Sequence, residues 1–223
     1  MAAAAVQTPL NAEQLFDSVG PAYEAAFATC EPQAASIQWL KSQLQGTKSK
    51  ILDIGCGTGR PVCSELADAG HEVLGIDISG AMIDAAKRSV PNAEFQKLDM
   101  GDLNPGEGSY DAITVYFSMI ASVTQEQIKQ NIRRIFSWLK SGGYFVFATV
   151  PVAGENMEIR WMGRQIVVSS LEAEEAVKAV KDAGFEVMYD GVTKFMPTAE
   201  EAGICSQDEV WEEPHLFVYA RKP

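Results

Sequence analysis

The segment Ile51-Leu-Asp-Ile-Gly55-Cys-Gly57-Thr-Gly59-Arg60 constrains this chain more than any other. Residues 51–54 read as a short buried strand. A D-x-G-x-G-x-G loop follows, and a helix is expected at once, from about Gly59 to Ala69, ending at Gly70. Glycines at alternate positions let the backbone turn sharply and let a ligand approach where a Cβ would stand in the way. A strand, a glycine loop and a helix in that order begin a βαβ unit, so the expected class is α/β with a mostly parallel sheet.

The rest of the chain agrees with that start. Its 223 residues, 47% of them hydrophobic, suit one domain with a sizeable core. Helices are expected at 11–29 and 33–45, ahead of the sheet. Further strands are expected at 72–76, 93–98, 110–116, 144–150, 185–192 and 216–220, making seven. Ser79 is a good N-cap for a helix to about Ser89. Thr124-Gln-Glu-Gln127 and Ser169-Ser-Leu-Glu172 both fit a capping box, opening helices to about Lys140 and Ala183. Ser141-Gly-Gly143 breaks the first of these, and Gly184 ends the second. Chain order alone does not fix the spatial order of the strands.

Two more acids follow the glycine loop at telling places. Asp77 ends the second strand and Asp99 lies just past the third. In an open α/β sheet ligands bind at the carboxyl edge, so Asp53, Asp77 and Asp99 share one crevice. A dinucleotide fingerprint would be G-x-G-x-x-G, and Arg60 stands where its third glycine would fall. Asp53 is also a poor neighbour for a pyrophosphate. It suits an ammonium or a sulfonium, and S-adenosylmethionine (SAM) carries both and no phosphate. Asp77 is placed to accept from the ribose hydroxyls and Asp99 from the adenine amino group. One such aspartate alone is more often a turn former; the three together with the loop point to SAM.

Composition narrows the partners. The formal charge of −12 leaves no basic footprint for nucleic acid, since Lys48/Lys50 and Arg133/Arg134 are the only short basic clusters. An acidic chain is also repelled by anionic membrane surfaces. No apolar run reaches the roughly 18 residues that span a bilayer. The N-terminus lacks a basic start and an apolar stretch, so a cytoplasmic chain is expected. Cys30, Cys56, Cys63 and Cys205 form no CxxC, and with only His71 and His215 no metal site is expected.

These features resemble class I SAM-dependent methyltransferases. Asp53–Gly59 looks like their first motif, Gly75–Ser79 like their acidic ribose motif and Leu98–Met100 like their adenine motif. Tyr110–Tyr116 resembles their fourth strand. Trp138–Gly143 resembles the L-K-P-G-G turn before strand five, with Ser141 in place of proline. The closing Pro214–Lys222 resembles small methyltransferase-domain proteins of bacteria and fungi. The resemblance implies a Rossmann-like fold, a seven-stranded mostly parallel sheet with helices on both faces, in the order 3-2-1-4-5-7-6 with the seventh strand antiparallel. It implies one domain over 1–223: a helical cap at 1–47, a SAM-binding core at 48–150 and a substrate-side half at 151–223 with lid loops. Many relatives carry a histidine soon after strand four; here Phe117-Ser-Met-Ile-Ala121 has none.

The expected activity is methyl transfer from SAM to O, N or S of a small, hydrophobic metabolite. The alternative is a SAM-binding protein of this fold that catalyses a rearrangement or cyclisation, or senses a ligand. Expected around the cofactor are Tyr23, Asp53, Gly55, Cys56, Gly57, Asp77, Ile78, Met82, Asp99, Met100 and Tyr116. Phe117, Met119, Trp161, Met162 and Trp211 are expected to meet the substrate, with Met157, Phe195 and Met196 near them. His71 falls at the amino edge of the sheet, away from the ligand. His215, at the start of an antiparallel last strand, falls at the carboxyl edge and is the candidate general base, with Glu158, Glu212 and Glu213 as alternatives.

Overall fold

The computed structural model describes residues 8–46 and 48–223. Residues 1–7 and 47 of the expected helical cap lie outside them.

The central sheet has seven strands: β1 (Lys50–Ile54), β2 (Glu72–Asp77), β3 (Glu94–Lys97), β4 (Tyr110–Tyr116), β5 (Leu139–Thr149), β8 (Glu186–Phe195) and β9 (Glu213–Arg221). Their spatial order is β3-β2-β1-β4-β5-β9-β8, and β9 runs antiparallel to both neighbours. This is the order and the one reversal that the resemblance implies. Helices α3 (Glu31–Gln43), α4 (Val62–Asp68) and α5 (Gly80–Ser89) lie on one face, and α6 (Gln125–Trp138) and α7 (Ala173–Asp182) on the other. Leu52, Ile113 and Phe145 point to the second layer and Ile51, Ala112 and Val146 to the first, each fully buried. Neighbouring residues on opposite faces are what period-two strands require when both faces are covered. Each fully buried Leu, Ile or Phe contributes about 1.5–3 kcal/mol.

Two elements depart from expectation because of local backbone chemistry. The helix expected at 11–29 is two helices, α1 (Ala12–Val19) and α2 (Ala22–Phe27). Asn11 and Gln14 form a capping box at the start of α1, and Gly20 ends it at φ +59, followed by Pro21. The helix expected from Gly59 starts at Val62, because Gly55, Gly57 and Gly59 all hold positive φ and delay the helical turn past Pro61.

The larger correction concerns residues 151–168, which follow strand five in the half expected to carry lid loops. They hold an antiparallel hairpin, β6 (Gly154–Trp161) and β7 (Arg164–Ser170), outside the main sheet. Its two-residue turn, Met162-Gly163, has φ of 45° and 79°, the double left-handed geometry that matches strand twist. The hairpin also overturns the capping box expected at Ser169–Glu172. Ser169 and Ser170 are strand residues; the Ser169 Oγ accepts from Asn156 N at 2.9 Å, and α7 begins at Ala173 without a side-chain cap. By contrast, the boxes at Thr124 and the cap at Ser79 form as expected.

A third layer covers the carboxyl edge. Leu15 and Val19 of α1 pack on Ile166 and Val168 of β7. Ala26 and Phe27 of α2 pack on Met162 and Ala199.

Candidate active site

Two adjoining cavities lie between the carboxyl edge and this covering layer. The first, about 340 Å³, is lined by Gly55 and Gly57 of the loop, Asp77, Ile78 and Met82 after β2, and Asp99 and Met100 after β3, with Tyr116 at the end of β4. Phe16 and Tyr23 close it from above. All the residues expected around the cofactor line it except Asp53 and Cys56.

The loop is held by its own backbone. Gly55 sits at φ +72, and a Cβ there would come within 2.1 Å of Ser118 Cβ, so only glycine fits. Gly57, at φ +53, faces open space. Gly57 N and Ser79 N donate to the two oxygens of Asp77 at 2.9 and 2.8 Å. Asp77 therefore ties the loop to the start of α5, with lone pairs left on each oxygen. Burial pushes its carboxyl above the usual range against the pull of these donors. Asp99 is exposed and accepts from Gly101 N at 2.7 Å. The Tyr116 hydroxyl shares a hydrogen bond of 2.7 Å with Ser36 Oγ.

Asp53 and Cys56 stand beneath the loop rather than at the cavity. Asp53 is 2% exposed and accepts from Thr114 Oγ1 at 2.7 Å and Cys63 Sγ at 3.2 Å. Burial pushes its carboxyl up to about 6. It lines neither cavity, so its carboxylate lies behind the loop. Cys56 is buried against Gly75. All four cysteines are free thiols.

The second cavity, about 450 Å³, is walled by Leu15, Phe16, Tyr23 and Phe27 from the covering helices, by Met157, Ile159, Trp161, Ile166 and Val168 from the hairpin, and by Phe117 and Trp211–Pro214. Phe16, Tyr23, Phe117 and Ala121 line both cavities. Phe117 holds φ +56, a strained conformation for an aromatic residue, at this junction. Among the expected substrate residues, Phe117, Trp161 and Trp211 are on the wall. Met119 instead packs into the core beside Ile128, and Met162 fills the hairpin turn against Phe27, each 2% exposed. Phe195 stacks on Phe27 behind the wall and Met196 faces outward. The hairpin contributors Ile159, Ile166 and Val168 were not anticipated, although Met157, Ile159 and Trp161 alternate with Glu158 and Arg160 in the period of a strand.

The histidines divide as topology dictates. His71 is buried at the amino edge, where its Nδ1 accepts from Ser49 N at 3.3 Å. His215 lies at the carboxyl edge but is fully buried and lines neither cavity. Its Nε2 lies 3.1 Å from Glu213 Oε2.

The covering helices are latched. Ser79 Oγ and Ala81 N donate to Asp17 Oδ1 at 2.6 and 3.1 Å, which holds the Asp17 carboxyl below its usual range. Thr58 Oγ1 donates to Glu24 at 2.8 Å, and Arg164 Nε to Ser18 Oγ at 2.9 Å. No group of three or more metal-ligating side chains occurs among the described residues, and no helix among them is long and apolar enough to cross a membrane.

Residues 51–143 match the family model of a methyltransferase domain. That segment is thus similar to a methyltransferase domain, and the fold around it is the one found in class I SAM-dependent methyltransferases, a class whose cofactor is S-adenosyl-L-methionine. The chain is 30% identical over 114 residues to YqeM of Bacillus subtilis, named as a methyltransferase; the match covers 49% of this chain and 45% of that protein. It thus spans under half of YqeM. It is 29% identical over 147 residues to the uncharacterised methyltransferase sll0829 of Synechocystis, covering 62% of this chain and 68% of the other. Among solved structures, a SAM-dependent methyltransferase of Methanosarcina mazei superposes with a TM-score of 0.64 at 20% identity, over 78% of this chain and 92% of its own. The 4+2 cyclase SpnF superposes with a TM-score of 0.63 at 20% identity, over 95% of both chains.

The donor set fits the cofactor. Asp77 and Asp99 offer acceptors to an adenosyl group, and Asp53 adds negative charge below the loop. The guanidinium groups nearby are engaged elsewhere: Arg60 turns to Ser89 O at 3.2 Å, and Arg134, which also lines the cavity, donates to Gly101 O and Leu103 O.

Proposed function

We propose that this chain is a methyltransferase that modifies an O, N or S atom of a small, mainly hydrophobic molecule. The observation that carries the proposal is the pair of adjoining cavities, one acidic and one apolar and aromatic, with Phe16, Tyr23 and Phe117 on their common wall. When bound, SAM supplies an electrophilic methyl group on a sulfonium. The chain's own part is to position the two reactants and exclude water. Asp77 accepts from the ribose hydroxyls and Asp99 from the adenine amino group. Tyr116, Met82 and Met100 pack around them. The hairpin and α1–α2 hold the acceptor against the common wall.

Incubation with methyl-labelled SAM and a panel of hydrophobic phenols, amines and thiols tests this. Labelled product together with S-adenosylhomocysteine (SAH) is the expected outcome. Tight SAH binding without transfer to any acceptor would reject it.

That rejection would favour the second reading, a rearrangement, cyclisation or sensing role. It draws support from the segment Phe117–Ala121, which brings no acid–base side chain to the junction, and from the same fold serving in SpnF. Turnover without SAH is its signature.

A further inference from the structure

The wall of the apolar cavity contains a buried carboxylate. Glu213 opens β9, is 6% exposed and lines the cavity. Trp161 Nε1 donates to its Oε1 at 2.7 Å, and its Oε2 faces His215 Nε2 at 3.1 Å. The His215 ring is packed among Phe117, Phe195 and Phe27, with centroids 4.4, 5.4 and 6.3 Å away. Its Nδ1 lies 3.9 Å from Cys30 Sγ. Burial pushes the Cys30 thiol up, so it stays protonated and can donate to Nδ1. The chain of donors then runs from Cys30 to His215 Nδ1 and from His215 Nε2 to Glu213.

The nearby charges are committed elsewhere. Arg160 pairs with Glu209 and Lys194 with Glu212, and among the described residues no lysine or arginine pairs with Glu213. Two hydrogen bonds leave about two of the carboxylate's four acceptor positions open. A carboxylate beside an apolar cavity is costly unless those positions find donors. Tyr23, which lines both cavities, has its ring centroid 6.4 Å from that of Trp161, the donor to Glu213, so Glu213 stands near the common wall.

We infer that Glu213 is the substrate-recognition carboxylate of this cavity, which takes a mainly apolar molecule bearing one O–H or N–H group that donates to Glu213. His215 is the positioning residue that holds the carboxylate in place. If the acceptor gives up its proton, the O–H or N–H bond breaks, the proton goes to a Glu213 oxygen and the electron pair stays on the heteroatom. The inference rests on reading the apolar cavity as the acceptor site.

Equilibrium dialysis of 1-naphthol, 1-naphthylamine and 1-methoxynaphthalene, with SAH present, tests it. These probes share a ring system and differ in having a donor. The wild-type protein is expected to prefer naphthol and naphthylamine over the methoxy compound by about tenfold or more, as a hydrogen bond to a charged group implies. Glu213→Gln is expected to cut that ratio at least threefold, and Glu213→Met to bring it near one. His215→Gln, whose amide N–H can replace Nε2, is expected to keep most of the preference, and His215→Leu to lose it. A wild-type ratio near one, or a ratio unchanged in folded Glu213 variants, overturns the inference. SAH calorimetry on the same preparations separates the causes. Retained SAH binding without naphthol preference sinks this inference alone, and no SAH binding by the wild-type protein sinks the proposed function. If both Glu213 variants fail to fold, the wild-type ratio still decides.

Discussion

Replacing Asp53 by Asn is expected to stabilise the ligand-free protein while weakening its hold on SAM. Asp53 is 2% exposed, and burial outweighs the Thr114 and Cys63 hydrogen bonds, pushing its carboxyl from 3.8 to about 6. An acid whose folded pKa exceeds its unfolded value costs stability when ionised. The cost is absent below the unfolded value, grows as pH rises and is complete above the folded value. A shift of about two units corresponds to about 3 kcal/mol. Asn keeps a carbonyl for the Thr114 hydroxyl and carries no charge. D53N is therefore expected to exceed wild type by up to about 3 kcal/mol at pH 7.5, with the gap closing towards pH 4. In a chain of this size that corresponds to about 6–12 °C in Tm. Urea unfolding across this pH range reads the gap directly. Binding should show the opposite preference: wild-type affinity for cationic SAM should rise as pH passes about 6, and D53N should lose that part of the rise. A variant no more stable than wild type at pH 7.5, or a gap independent of pH, refutes the reasoning.

Three further substitutions probe the cofactor side. Gly55→Ala places a Cβ 2.1 Å from Ser118 Cβ at φ +72, and thermal unfolding is expected to show a loss of about 2–5 kcal/mol. Asp77→Asn sets an amide N–H against the N–H of Gly57 or Ser79, and calorimetry is expected to find SAH binding weakened by about 10–100-fold. Asp17→Ala frees α1 from Ser79 and Ala81, at a cost of about 1–2 kcal/mol, and stopped-flow measurement is expected to show faster SAH release.

The lining of the first cavity, proposed for the cofactor, was largely legible in the sequence because its requirements are local. A glycine needed for a positive φ and an aspartate at a strand tip declare themselves within a few residues. The hairpin was harder to see. Its turn places Met162 in a conformation that Asn or Gly would normally advertise, so the usual signal is missing although the alternation of Met157, Ile159 and Trp161 is present. Ser169–Glu172 has capping-box spacing, but the strand pairing of Ser169 and Ser170 with the hairpin prevails. His215 was placed at the correct sheet edge, yet its depth was not readable. Glu213 and His215 share one face of β9, two residues apart, and topology alone does not say which reaches the cavity.

The hairpin also bears on how such a protein can diversify. Residues 154–170 supply much of the apolar cavity's wall as one uninterrupted ribbon, whereas the groups around the glycine loop all precede residue 135. A lineage can rewrite the ribbon, and with it the shape of the apolar cavity, while leaving the half of the chain that carries the glycine loop unchanged.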